Sequence, residues 1–312
     1  MPSFPSPFLQ RLPDIYGQDD CAAVLTGLST ERLTSFRVNT LLAEPQTVLA
    51  GLAFEGITPQ AIGLPDAYTV APDQRRALTG SRAMAAGQIY IQNPSSMLPP
   101  LILAPRPGEK ILDLCAAPGS KTLQMAAMMG NEGWISAVEV VKDRFFRMKA
   151  NLTRNGAAIV HTYHRDGTKV WRYVPEQFDR VLLDAPCSSE GQFSLTDEAS
   201  YRYWSERKIG EMARKQKKLL FSAFQCLKPG GTLVYSTCTL APEENEAVIS
   251  WFVKKFADRL DILDIPLNHG PLRPGILSFR GKRFADIVNK AGRILPDRLH
   301  EGFFVCLLRK RP

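Results

Sequence analysis

The chain has 312 residues, 45% of them apolar, which is enough for a large buried core and for two domains. No apolar run reaches the roughly 18 residues that a membrane-spanning helix needs, and Met1-Pro2-Ser3-Phe4-Pro5 lacks the basic and apolar regions of a secretory signal. A cytosolic protein is expected, and a formal charge of +8 points to a polyanionic partner without identifying it.

In chain order, the spacing predicts helices around Pro5–Tyr16 and Cys21–Gly27, then a strand over Ser35–Leu41. A polar stretch rich in turn residues, Gly63–Gly87, follows. These elements read as a small α+β module over residues 1–92, with a second domain over 93–312. From Lys110 the pattern becomes apolar runs alternating with amphipathic segments. Strands are expected at Lys110–Cys115, Trp134–Val140, Val160–Asp166, Arg180–Ala185 and Thr232–Cys238. Helices are expected at Gly119–Met129, Lys142–Asn155 and Ile209–Leu227, the last stopped by Gly230-Gly231. Such alternation implies crossover connections, hence an α/β, Rossmann-like, doubly wound and mostly parallel sheet. Phe303–Leu308 is expected to add an antiparallel strand.

Ligands of such sheets sit beyond the carboxyl ends of the strands. The first strand ends in Asp113-Leu114-Cys115-Ala116-Ala117-Pro118-Gly119-Ser120-Lys121-Thr122, whose small residues let the backbone turn tightly against a ligand at a helix start. A P-loop needs GxxxxGK[ST] and a dinucleotide site GxGxxG, and neither occurs here. The second strand ends at Glu139, placed for ribose hydroxyls, and the third at Asp166, placed for an adenine amino group. Any one of these acids reads equally well as a surface residue. A glycine turn and two acids on three consecutive strands point to an adenosine-containing cofactor.

Six cysteines are scattered at Cys21, Cys115, Cys187, Cys226, Cys238 and Cys306. No CxxC pair occurs, so a zinc site has no support, and free thiols are expected. Cys187, in Asp184-Ala185-Pro186-Cys187, and Cys238, in Ser236-Thr237-Cys238-Thr239, each lie just past a central strand on the cofactor rim. Cys21, Cys226 and Cys306 read as small buried hydrophobes. Pro242 is placed for a first helical position shortly after Cys238, where a helix dipole favours a thiolate. A thiolate beside a methyl donor suits cytosine, whose carbon 5 becomes nucleophilic once sulfur adds to carbon 6. Asp184 is the residue to assist at the base's N3 edge. Spacing alone leaves open which cysteine attacks.

At these residues the chain resembles the Sun-type (Nol/Nop/Sun) family of RNA cytosine-5 methyltransferases. The matching segments are Asp113–Thr122, Asp184–Gly191 and Ser236–Glu246, supported by Ser35–Leu41, Gln92–Pro99 and Glu301–Lys310, so the resemblance spans nearly the whole chain. It implies S-adenosylmethionine as cofactor, Cys238 as nucleophile and Cys187 in product release. It further implies cofactor contacts from Cys115, Ala116, Ala117, Pro118, Gly119, Ser120, Lys121, Glu139, Arg144, Asp166 and Asp184, with Lys121 also in the active site. DNA cytosine-5 methyltransferases attack from a Pro-Cys motif, which keeps Cys187 and a DNA substrate as alternatives. A noncatalytic RNA-binding assembly factor and a small-molecule or protein methyltransferase are weaker ones, since both cysteines and the cofactor turn are intact.

Many members of that family carry an added RNA-binding domain. Here about 90–100 residues precede the core and little follows Lys310, so recognition is expected from the N-terminal module and the basic surface. Arg202, Arg207, Lys208, Arg214, Lys215, Lys217 and Lys218, interleaved with Phe193, Tyr201, Tyr203 and Trp204, suit phosphates and splayed bases. The expected partner is tRNA or rRNA, acted on by a monomer without a metal.

Overall fold

The structure, a computed structural model, describes residues 3–266 and 272–312. The first helical segment, α1 (Ser6–Ser29), is broken at Gly17, whose φ of 70° and ψ of −179° no helix tolerates. The two helices expected here therefore meet at a glycine kink. Then come β1 (Thr34–Val38), α2 (Pro45–Phe54), β2 (Gln60–Ala61) and β3 (Ala67–Val70). α3 (Arg75–Gly80), α4 (Arg82–Ala85) and β4 (Ile89–Ile91) complete this region. The four strands form an antiparallel sheet in the order β2-β3-β1-β4 over a core of Phe36, Val38, Leu52, Val70 and Leu78. The stretch expected to be turns thus contains a strand and two short helices. α1 packs elsewhere: Phe4, Phe8, Leu12 and Val24 meet Phe193, Tyr201 and Leu240.

The remaining chain is α5 (Pro94–Leu103), β5 (Lys110–Asp113), α6 (Ser120–Met128), β6 (Trp134–Glu139), α7 (Lys142–Arg154) and β7 (Val160–His164). It continues with β8 (Phe178–Asp184), α8 (Glu206–Cys226), β9 (Leu227–Thr237) and α9 (Glu246–Lys255). After β10 (Leu260–Leu263) and β11 (Leu272–Pro274) come the short pair β12 (Ser278–Phe279) and β13 (Lys282–Arg283), then β14 (Gly292–Ile294) and β15 (Phe303–Lys310). The large sheet runs β11-β14-β15-β9-β8-β5-β6-β7, with β10 on β15. β9-β8-β5-β6-β7 are parallel, and β15 is antiparallel to β9 as its apolar run suggested.

Alternation sorts the strands between two cores. Leu112, Val181, Leu183, Leu233, Tyr235 and Phe304 face one layer of helices, while Ile111, Leu182, Val234 and Val305 face the other. The order reverses at β5 and β8, so the switch point lies between Asp113 and Asp184. α8 ends at Cys226 rather than at the glycines. Leu227 is already extended, and Gly230 with φ 80° lies inside the strand.

Pro242 does not open the helix after Cys238. Residues 242–245 form turns and α9 starts at Glu246. The side chains here are committed elsewhere: Thr237 Oγ1 donates to Asn245 Oδ1 at 2.6 Å, and Asn245 Nδ2 donates to the Thr239 carbonyl at 3.0 Å.

Candidate active site

The turn after β5 is built by its own peptide groups. Gly119 N donates to the Ala116 carbonyl at 2.8 Å, and Ala116 N to the Val138 carbonyl at 2.9 Å. Gly119 has φ 103°, which side-chain-bearing residues rarely adopt, so α6 can begin here only from glycine. Arg144 on α7 caps the turn, with Nη2 2.8 Å from the Ala117 carbonyl, and lies 3.7 Å from Glu139 Oε2. A cavity of about 500 Å³ opens above it.

Cys115, Ala117, Pro118, Ser120, Lys121, Glu139, Arg144, Asp166, Asp184, Cys187 and Cys238 all line this cavity. Ala116 and Gly119, also expected as contacts, build the turn on which this wall stands. Glu139 is buried at the end of β6 and accepts from Val141 N at 2.8 Å. Asp166 lies two residues beyond β7, where its Oδ1 accepts from Thr168 N and Oγ1 at 3.0 and 2.8 Å. Burial opposes its charge, but the Thr168 hydrogen bonds outweigh it and hold the carboxyl below its ordinary range.

The other end of the cavity holds the thiols. Cys187 follows β8, Cys238 follows β9, and their sulfurs are 3.3 Å apart. Contact with Cys238, then burial, pushes Cys187 well above its ordinary thiol range, so it stays protonated. Burial also raises Cys115, and it raises Cys226 to about 12. Beside the pair, Lys121 Nζ lies 2.7 Å from Asp184 Oδ2 and donates to Ser96 Oγ at 2.7 Å. Ser236 Oγ donates to the other Asp184 oxygen at 2.8 Å. Burial alone would lower the Lys121 pKa; Asp184 reverses that and keeps the ammonium charged.

The Cys187 loop is fixed by a backbone crossing. Gly191 N donates to the Cys238 carbonyl at 2.9 Å, and Gly302 N donates to the Gly191 carbonyl at 3.0 Å. A Cβ on Gly191 would lie 1.9 Å from the Gly302 oxygen, so this approach demands glycine. The crossing delivers Glu301 to the cavity wall, together with Tyr90, Gln92, Asn93, Ser96, Gln192 and Lys215. Of these, Lys215 was expected in the basic cluster that meets RNA, not in the cavity wall. For Gln92, Asn93, Ser96 and Glu301 the signal was that Gln92–Pro99 and Glu301–Lys310 carried part of the family resemblance.

The aromatic residues after Cys187 do something other than expected. Phe193 and Tyr201 are buried with Phe4 and with Phe8 of α1, and Trp204 Nε1 donates to Glu190 at 2.9 Å. They bind the loop to α1; Tyr203, 83% exposed, is the one left open for stacking. Arg202 and Arg207 pair with Glu198 and Glu211, while Lys208, Arg214 and Lys218 are exposed.

The family model described as 16S rRNA methyltransferase RsmB/F matches residues 100–309. The tRNA (cytosine(49)-C(5))-methyltransferase of Pyrococcus abyssi is 44% identical over 225 residues, covering 72% of this chain and 71% of that protein. Ribosomal RNA small subunit methyltransferase F of Escherichia coli is 38% identical over 323 residues, covering 98% of this chain. The match takes in 63% of the Escherichia coli protein and 56% of its Cronobacter sakazakii counterpart, so the chain spans less than two thirds of these relatives. Among solved structures, a methyltransferase homolog from Pyrococcus horikoshii superposes with a TM-score of 0.85 at 32% identity, covering 99% of this chain and 96% of that one. NSun6 from Pyrococcus horikoshii, solved with SFG, gives 0.86 at 22% identity over 100% and 99% of the two chains, a likeness of fold alone. With the family model covering most of the sheet and both cysteine loops, the chain belongs to the RsmB/F family of 16S rRNA methyltransferases.

Proposed function

We propose that this protein methylates carbon 5 of a cytosine in RNA, with Cys238 as covalent nucleophile and S-adenosylmethionine as methyl donor. The observation that carries the reading is the contact between two thiols on the wall of one cavity, beside the Lys121–Asp184 ammonium–carboxylate pair. The names of the relatives support it, one acting on cytosine 49 of tRNA and the other on small-subunit rRNA.

The donor set fits the cofactor: Glu139 offers a buried acceptor for ribose hydroxyls, Asp166 an acceptor for an amino group, and the Cys115–Lys121 turn a close backbone wall. Bound there, S-adenosylmethionine supplies an electrophilic methyl group. The chain's own residues do the rest. Cys238 Sγ adds to carbon 6, the carbon 5–carbon 6 electron pair moves toward carbon 5, and Asp184, held by Lys121 and Ser236, steadies the N3 edge. Once carbon 5 is methylated, it sheds its proton, the carbon 6–sulfur bond breaks and the ring double bond returns. Cys187, in contact with the departing sulfur, takes part in that release. Cys187 is the less apt nucleophile because its neighbour and its burial keep it a thiol.

Residues 1–92 act in this reading as an RNA-binding module, with Arg75, Arg76 and Arg82 exposed on it. The target base must leave its stack to reach the cavity, so a loop or flipped nucleotide in tRNA or rRNA is the substrate. A monomer working in the cytosol suffices.

The test incubates the protein with labelled S-adenosylmethionine and total RNA, then digests the RNA and maps the label. Label is expected in 5-methylcytosine at a defined site. Cys238→Ala should abolish turnover, whereas Cys187→Ala should accumulate a covalent protein–RNA adduct on a denaturing gel. An adduct in Cys238→Ala and none in Cys187→Ala would reverse the roles; label in another nucleoside would overturn the activity.

A further inference from the structure

Four oxygens lie in a row beside the two thiols. Glu244 Oε1 meets Ser188 Oγ. Ser188 Oγ lies 2.7 Å from Thr239 Oγ1, and Thr239 Oγ1 lies 3.1 Å from Glu190 Oε2. Ser188 directly follows Cys187, and Thr239 directly follows Cys238, so the row joins the two thiol-bearing loops. Its ends are anchored from outside: Gln216 Nε2 donates to Glu244 Oε2 at 2.7 Å, and Trp204 Nε1 to Glu190 Oε1 at 2.9 Å. Glu244, Glu190, Gln216 and Thr239 are all buried.

Counting protons decides the state of the row. Three oxygen–oxygen contacts need one proton each, and an ionised carboxylate can only accept. The two hydroxyls supply two protons. Were both glutamates ionised, Ser188 and Thr239 would each donate outward and their oxygens would face each other with no proton between. A carboxyl group therefore supplies the third. Burial raises the Glu190 carboxyl as well, but Arg11 and the hydrogen bonds from Trp204 and Thr239 favour its charge, whereas the neighbours of Glu244 are Glu190, the Cys187 thiol and the phenol of Tyr235, which donates to the Glu244 carbonyl at 2.6 Å. Burial, against weaker hydrogen bonds from Ser188 and Gln216, raises the Glu244 carboxyl to about 8. The proton sits on Glu244, and the row reads Glu244 to Ser188 to Thr239 to Glu190, each donating to the next.

We propose that Glu244 is a positioning residue which, as a neutral acid, closes a Ser188–Thr239 hydroxyl staple holding Cys187 and Cys238 in contact. The inference rests on the reading of these thiols as the covalent machinery. When Glu244 loses its proton, two carboxylates face the row, the central contact has no hydrogen, and Ser188 and Thr239 draw apart while the Gly191–Cys238 backbone bond remains. The new charge also raises the Cys187 thiol further. The staple is thus closed at neutral pH and opens as pH rises through the Glu244 pKa.

The test compares the wild type with Glu244→Gln, Thr239→Ser and Thr239→Val between pH 6 and 9.5. It has two readouts: methyl transfer to RNA, and the rate at which iodoacetamide alkylates Cys187 and Cys238, followed by mass spectrometry without RNA or cofactor. In the wild type, methyl transfer should fall and alkylation of the pair should change together near pH 8. Glu244→Gln, whose amide N–H donates permanently, should lack this transition in both readouts. Thr239→Ser keeps the hydroxyl and should follow the wild type, while Thr239→Val should lose roughly tenfold or more in kcat at unchanged KM for S-adenosylmethionine, the scale of a misplaced reacting group. A transition near pH 8 that persists in Glu244→Gln, or a Thr239→Val that matches Thr239→Ser, overturns the staple. Should Thr239→Val fail to fold, the Glu244→Gln comparison decides alone. Should the wild type transfer no methyl to RNA, the covalent reading fails, and the alkylation profiles still decide the staple.

Discussion

Lys121 illustrates how much a residue's neighbours decide. A lysine in the first turn of a helix is ordinarily a solvated cation, yet here it is nearly buried and bonded to Asp184 and Ser96. The resemblance placed Lys121 in the active site; the ion pair that gives it a role crosses from α6 to the end of β8 and has no sequence signature. Asp113 is the opposite case, an acid the sequence offered only as the start of a turn. It is fully buried at the switch point, accepts from Thr122 Oγ1 at 2.7 Å, and burial, against that hydrogen bond, raises it from 3.8 to about 7. The folded chain therefore keeps a proton that the unfolded chain sheds between those values. The stability this group confers is complete below pH 3.8, declines as pH rises to about 7, and is constant above. Thermal unfolding across pH 4–8 should show a smaller decline in Asp113→Asn than in the wild type. Parallel curves would mean that Asp113 titrates normally.

Among elements, α1, α9 and β14 are tied by a single side chain. Arg293 on β14 places Nε and Nη2 each 2.6 Å from the Glu246 carboxylate at the start of α9, and Nη1 3.1 Å from Tyr16 Oη. Both charged groups are buried, at 3% and 0% side-chain exposure. Arg293→Met leaves the Glu246 charge buried and unpaired, which costs about 3–5 kcal/mol. Replacing both partners with apolar residues should restore much of that loss. Denaturant titration checks both, and a single variant that loses less than about 1 kcal/mol would mean the pair is solvated. Strands and amphipathic helices were legible because alternation and 3.6-residue spacing are local. The start of α9 was not, because Pro242 and its glutamates look like a helix start while Glu244 is claimed by distant Ser188 and Gln216 and Asn245 by Thr237 and Thr239. The aromatic residues after Cys187 misled for the same reason: interleaving with cations suits RNA, but Phe8 of α1 draws Phe193 and Trp204 inward.

At the scale of the molecule, the net charge of +8 becomes useful once its exposed members are known. Arg214 and Lys218 on α8 are exposed and line no part of the cavity, so they can meet phosphates without touching the cofactor. Arg214→Glu with Lys218→Glu should weaken RNA binding and lower the log–log salt slope by roughly 2, with S-adenosylmethionine affinity unchanged. Binding across a salt series and calorimetry check this, and an unaltered slope would remove α8 from the RNA surface. Lys215, on the same helix, reaches the cavity instead and belongs to a different experiment.

By itself the sequence determined the alternating α/β architecture, the antiparallel last strand, the glycine turn and the two strand-end cysteines. Each is written in local spacing or in a contiguous motif. Only the tertiary structure decided that the two sulfurs touch, that Lys121 meets Asp184, that Glu301 reaches the cavity through the Gly191–Gly302 crossing, and that four oxygens link the cysteine loops. These pairings join residues 49 to 111 positions apart, from Thr239–Glu190 to Gly191–Gly302. Which distant groups meet is set by strand order and by the hydrogen bonds that burial obliges, and neither is encoded within any one segment.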